Sequence, residues 1–243
     1  MQANSNLINK KHKHAKYLKG AFGFMDGLNL PVMASGKDNE QNANWNGWLH
    51  AHVVSNVIVF LPNGTIMTAV VNAPGSWHDL NVARPIYQVL REKTPNGFFL
   101  IADSAFPRLG VGKSQRIKIP LKKNAALPGN NQEKQRRRQE SCKVTVAHQA
   151  VEWGMRALQG CFSRLYMPLD AHNVEGQAWL LQTCMRLHNL CTEKVGINQI
   201  QSVYMPVWNN RRDQYLTNRQ LFFRAVQLDQ VQEFYVESGV EFN

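Results

Sequence analysis

Two kinds of hydrophobic pattern divide this chain. The segments AFGFMDG, WLHAHVVSNVIVFL, TIMTAVVNA and FFLIA are short and rich in β-branched and aromatic residues. Gly, Pro and Asn bound them, which predicts buried strands. Pro62-Asn63-Gly64 separates the second run from the third, and Asn-Gly between two such runs predicts a hairpin. Elsewhere the apolar residues recur at helical spacing. LNVARPIYQVLREK presents Leu80, Ala83, Ile86, Tyr87 and Leu90 on one face, and residues 144–166 present Ala147, Val151, Met155, Leu158, Phe162 and Leu165. With 173–194 and an amphipathic stretch near 217–237, these predict helices. The rest is polar: a basic lead-in over 1–20, an Asn-rich connection from Asn29 to Gly47, and a basic stretch over 108–143 read as loop with a short strand at RIKIPL. One domain over 21–207 is expected, with a C-terminal extension over 208–243.

The order strand, hairpin, helix, strand, then helices predicts an α/β domain of RNase H-like fold, a mixed central sheet flanked by helices. Three acids occupy informative places in it. Asp26 ends the apolar part of GFMDG, Asp103 ends FFLIAD, and Glu152 lies beside the apolar stripe of its helix with His148, Arg156 and Gln159. Each has an ordinary structural use: a turn-forming Asp-Gly, a turn cap before Pro107, a surface glutamate. In an RNase H-like sheet the strands bearing the two aspartates are neighbours, and the helix can look along their ends. An oxygen-only, anionic cluster of that kind suits Mg²⁺ or Mn²⁺, and paired ions can activate an attacking oxygen and stabilise a leaving one.

Charge sharpens this picture. The chain has 243 residues and a formal net charge of +11, which favours an anionic partner. Between Arg108 and Lys143 lie eleven basic residues against Glu133 and Glu140, so this stretch carries most of the excess. Lys113, Arg116, Lys118, Lys122, Lys123, Arg136, Arg137 and Arg138 are the candidate contacts to a nucleic-acid backbone. Trp45, Trp48 and Trp153 could stack on unpaired bases, with packing in the core or rim the ordinary reading. Hydrophobic content of 44% is that of a globular protein rather than a disordered one. Four cysteines without a CxxC pair give neither a disulfide framework nor a zinc site, and Cys184, His188 and Cys191 on one helix read as core residues. No apolar stretch is long enough for a membrane span, and the first residues do not form a secretory signal. A soluble intracellular chain is expected.

The motifs FMDG, NAPGSWHDLNV, IADSAFP, QAVEWGMRALQGCFSRL and CMRLHNL, in this order, resemble the DDE domain of PIF/Harbinger-type transposases over about residues 22–207. The resemblance implies an RNase H-like core with Asp26, Asp103 and Glu152 as catalytic, metal-binding acids holding two Mg²⁺ or Mn²⁺ ions. It also implies DNA as substrate, a nuclear setting and a separate Myb-like DNA-binding partner protein, and leaves oligomerisation open. Asp79 and His78 of the SWHD motif, and His148, are expected to stand just behind the three acids. Ser76 and Asp79 also read as the cap and first turn of a helix. Two departures stand out. Members generally carry a helix-turn-helix region ahead of the first aspartate, whereas about twenty-five residues precede Asp26 here, so that module is expected to be missing. Relatives tend to have arginine where this chain has His148, which replaces a fixed charge by a titratable one. The functional expectation is a metal-dependent DNA endonuclease or strand-transfer domain. The alternatives are a catalytically silent, transposon-derived DNA- or protein-binding protein and a nuclease acting on RNA.

Overall fold

The apolar run at residue 21 becomes the central strand of the sheet, β1 (Ala21–Pro31), and it continues past Asp26 because Leu28 and Leu30 are also buried. The computed structural model describes residues 1–12, 16–110, 115–122, 125–195, 199–205 and 232–233. Antiparallel to β1 lies β3 (Ala51–Phe60), joined to β4 (Ile66–Pro74) by the expected hairpin. At its turn the Gly64 N–H donates to Leu61 O over 2.9 Å, and Gly64 takes φ of +85°, a conformation that glycine adopts without strain. On the other side of β1, β5 (Phe99–Ala102) and then β6 (Ile117–Lys118) run parallel to it. A two-residue strand β2 (Trp45–Asn46) pairs with the start of β3, and β7 (Gln232–Glu233) lies along β4. The order β6-β5-β1-β3-β4-β7 makes the mixed sheet of the expected RNase H-like fold.

Both faces of the sheet are covered, which is why β3 and β5 read as nearly unbroken apolar runs. On one face Phe24, Ile58, Phe60 and Ile101 pack with Ala147 and Val151 of α5 (Asn131–Cys161) and with Leu181 and Met185 of α6 (Val174–Lys194). On the other, Met25, Val57, Val59 and Leu100 pack with Val82 of α3 (Asp79–Val82) and with Ile86 and Leu90 of α4 (Arg84–Lys93). Gly154 brings α5 onto β3, since a Cβ there would fall 2.8 Å from the Phe60 ring.

The structure departs from the sequence reading in several places. The lead-in contains a helix, α1 (Gln2–Lys11), which buries Ile8 and whose Ser5 Oγ accepts from Gly20 N–H over 3.0 Å. The Asn-rich connection contains α2 (Asp38–Asn44), held by buried Glu40, which accepts from Ser35 Oγ and Lys37 Nζ at 2.7 and 3.0 Å. The basic stretch is loop only in part. Helix α5 starts at Asn131 because Asn130 and Glu133 form a capping box, and the Lys, Arg and Gln that follow are strong helix formers. Most of the amphipathic stretch near 217–237 lies outside the described residues, but Gln232–Glu233 form a strand rather than helix. Cys184 is buried as expected, whereas Cys191 is exposed. Among the described residues no helix is long and apolar enough to cross a membrane.

Two polar residues of CMRLHNL fasten α6 to the hairpin. Asn189 accepts from Ile66 N–H at 2.7 Å and donates to Ile66 O at 2.9 Å, and buried His188 donates from Nε2 to Gly64 O at 3.2 Å. The amide thus stands in for a neighbouring strand at the start of β4. Removing it leaves a buried N–H and C=O without partners, so Asn189→Ala is expected to cost about 2–3 kcal/mol. In denaturant unfolding the midpoint should fall with an unchanged slope.

Candidate active site

The pairing of β1 with β5 decides where the acids meet. Phe24 is paired with Ile101 and Met25 with Ala102, so the next step along two neighbouring parallel strands brings Asp26 beside Asp103. Such strands are about 4.8 Å apart. Phe24 and Ile101 both face α5, and strand alternation points Asp26 and Asp103 to that same side. Asp26 is partly buried, and its Oδ1 accepts from Gly27 N–H at 2.9 Å. Asp103 Oδ1 accepts from Ala105 N–H at 2.6 Å, so the aspartate caps a turn as well as flanking Asp26.

Helix α5 lies over this junction. His148 is buried, with Nε2 at 3.3 Å from Met25 O; a carbonyl only accepts, so this nitrogen carries the proton. The apolar face of α5 is therefore wider than the sequence pattern indicates, and it takes in a residue placed on the polar stripe. Glu152 follows one helical turn later and is exposed at the rim.

Asp79 joins from the opposite side. It opens α3, and a Cβ on Gly27 would lie 3.1 Å from its Oδ1. The absence of a side chain at Gly27 thus makes room for a carboxylate against β1 next to Asp26. Ser76 is exposed and does not cap this helix; the cap position is His78, also exposed, without a side-chain bond. The preceding loop is fixed instead by Ser76 N–H donating to Ala43 O at 2.9 Å and Asn46 Nδ2 donating to Gly75 O at 2.8 Å.

Asp26 and Asp79 feel their surroundings most. Burial pushes Asp26 up to about 7 from an ordinary 3.8; the Gly27 N–H works against this, while the charges of Asp103, Asp79 and Glu152 add to it. Asp79 is raised by burial and then by Asp103. His148 is lowered by burial, against the opposing influence of Met25 O, Asp103 and Glu152. The chemistry of this set, carboxylate oxygens around a partly buried aspartate, fits a hard divalent cation. Asp26 and Asp103 turn to neighbouring amides, and among the described residues no three His, Cys, Asp or Glu side chains are arranged to hold a metal ion.

The basic candidates divide. Arg116 is buried and donates to Leu90 O at 3.2 Å and Asn96 Oδ1 at 2.9 Å, a task inside the fold. Lys118 is half-buried, donates to Tyr17 O and lies 4.8 Å above the Phe99 ring. Arg136 pairs with Glu140 at 3.2 Å, while Lys122, Arg137 and Arg138 are exposed. Lys113 and Lys123 lie outside the described residues. Of the tryptophans, Trp153 packs against the core and Trp45 lies edge-on to His52, but Trp48 is 91% exposed rather than packed.

Asp26 makes stability depend on pH. The folded chain holds its proton more tightly than the unfolded chain, so stability present below about pH 4 is lost as pH rises toward 7. In chelator-containing buffer Asp26→Asn should therefore melt several degrees above the native chain at pH 8. The gap should close near pH 4. A gap of equal size at both pH values in thermal melts would contradict this electrostatic account. In comparisons with known proteins, no curated protein and no solved structure matches the chain. Residues 25–189, well over half of the chain and spanning all four acids, match the family described as DDE superfamily endonuclease. This chain belongs to the DDE superfamily endonucleases.

Proposed function

We propose that the chain is a transposase-type DNA endonuclease and strand-transfer domain in which Asp26, Asp103 and Glu152 hold two divalent cations, Mg²⁺ or Mn²⁺. The observation that carries this reading is the β1–β5 register, which sets Asp26 beside Asp103 under the helix that bears Glu152. The family match over residues 25–189 supports endonuclease chemistry, and the five ordered motifs support the PIF/Harbinger type. On the same reading the partner that recognises the DNA sequence is a Myb-like protein, and the working place is the nucleus.

When bound, the cations supply Lewis-acid charge that lowers the pKa of an attacking water or 3′-hydroxyl and steadies the leaving oxygen of the phosphodiester. The chain's part is to assemble ligands and place the substrate. Asp26 offers its oxygens from the middle of β1 and Asp103 from just past the end of β5. Glu152 closes the set from α5, whose position over β1 is fixed by His148 on Met25 O and by Gly154 on Phe60. Asp79 backs Asp26 across Gly27 and adds a further carboxylate beside the set. Exposed Lys122, Arg137 and Arg138 hold backbone phosphates.

The experiment is conversion of supercoiled plasmid to nicked circles. Nicking is expected with Mg²⁺ or Mn²⁺ and none in excess chelator. Asp103→Asn should lower the rate by at least a hundredfold while DNA affinity changes little. Nicking that survives in Asp103→Asn would remove that residue from the site. Salt-sensitive binding by the native chain without any cleavage would make the protein a DNA-binding derivative instead.

A further inference from the structure

The N-terminal half of α5 borders a cleft that is separate from the carboxylates. It measures about 330 Å³ and lies between α5 and the segment around β6, with Arg108, Lys118, Arg137 and Glu140 among its walls. A second hollow of about 280 Å³ adjoins it through Leu121 and Ser141 and adds Lys122 and Arg138. The two are stitched open by one bond, Leu121 N–H to Ser141 Oγ at 2.8 Å. Among the described residues Glu140 is the one acid on either wall, and it is already engaged by Arg136 at 3.2 Å. Lys118 is drawn inward by Tyr17 O, whereas Arg108, Lys122, Arg137 and Arg138 are exposed, and α5 itself contributes the adjacent guanidinium groups of Arg137 and Arg138. Such groups bind phosphate through paired N–H donors.

The same helix connects this cleft to the acids. Ser141 and Glu152 are about three turns apart on α5, and Arg138 and Glu152 about four. Arg138, Ser141, Thr145, His148 and Glu152 therefore fall along one side of the helix. From Arg138 to Glu152 the rise is about 20 Å, or about six nucleotides at the 3.4 Å spacing of one strand.

We infer that the cleft is a backbone-binding subsite that seats the DNA about six nucleotides from the bond being cut, with α5 as the ruler between subsite and carboxylates. The inference rests on the endonuclease reading for the identity of the far end and on the cleft alone for the near one. Its consequence is a minimum substrate length. A duplex shorter than the span can occupy the cleft or the carboxylates, not both.

The test uses the full chain and its Arg137→Gln/Arg138→Gln variant, both substitutions being at exposed positions. Fluorescence anisotropy is measured on blunt DNA duplexes of 6 and 18 base pairs, with Ca²⁺ present, over a salt series. For the 18-mer the variant should bind about tenfold more weakly, and its slope of log affinity against log salt should shrink by about two, as expected for two lost phosphate contacts. The 6-mer can bind at the carboxylate end with Ca²⁺ when the cleft is weakened, so its loss should be markedly smaller. Unchanged affinity and slope on the 18-mer would overturn the subsite, and an equal loss at both lengths would overturn the ruler. Plasmid nicking by the native chain separates this outcome from the parent reading. Nicking with no length-dependent loss sinks the subsite alone, whereas length-dependent loss without nicking keeps the subsite and sinks the nuclease.

Discussion

Burial of a carboxylate among other carboxylates, where β1 and β5 run side by side, is the constraint around which this protein is arranged. An aspartate within β1, a second just past the end of β5, a third against a glycine of β1 and a glutamate on the covering helix share one partly buried space. No folding advantage comes from that arrangement. Burial and the neighbouring charges hold Asp26 far above the ordinary carboxylate range, so the apo fold carries an electrostatic cost at neutral pH. Such a cost persists where the surrounding structure overdetermines the site and where a ligand offsets it. A hard cation is the ligand whose chemistry matches.

The remainder of the fold supplies that overdetermination. On the α5 side Phe24, Ile58, Phe60 and Ile101 bind the sheet to Ala147 and Val151. Tyr204 closes that face from α7 (Gln199–Tyr204), its ring 5.4 Å from Phe24 and its hydroxyl 2.9 Å from His12 Nε2. At the far end Asn189 and His188 clamp the β3–β4 turn. The loop before Asp79 is tied to α2 and β2 through Ala43 and Asn46. Each acid is thus held by an element with its own anchors, and relaxation by moving one of them away would disrupt core packing.

Much of this was legible in the sequence, for identifiable reasons. The strands around β3 and β5 and the Asn-Gly hairpin carry strong local signals, and the order of elements leaves few sheet topologies. Asp26, Asp103 and Glu152 each have an ordinary structural reading alone, and it is their order and motif contexts together that single them out as candidates. What was missed depends on tertiary context. Ile8 is a single apolar anchor in a polar segment, too little periodicity to mark α1 as packed. The basic run 131–143 was hidden as helix by its charge, although the Asn130–Glu133 capping box was there to be read. His148 and Arg116 are polar by type yet buried against backbone carbonyls of β1 and α4. Asp79 meets Gly27 only after the chain has folded, and Arg108 reaches the basic cleft only once β6 lies beside β5.

The claim on which the rest depends is that the carboxylates converge on shared cations. Electron paramagnetic resonance of the protein titrated with Mn²⁺ tests it most directly. Two ions about 3.5–4 Å apart, as in two-metal sites, should give a spin-coupled spectrum at two equivalents, and Asp26→Asn should abolish the coupling. Binding of a single uncoupled Mn²⁺, or a coupled spectrum unchanged in Asp26→Asn, would contradict the account.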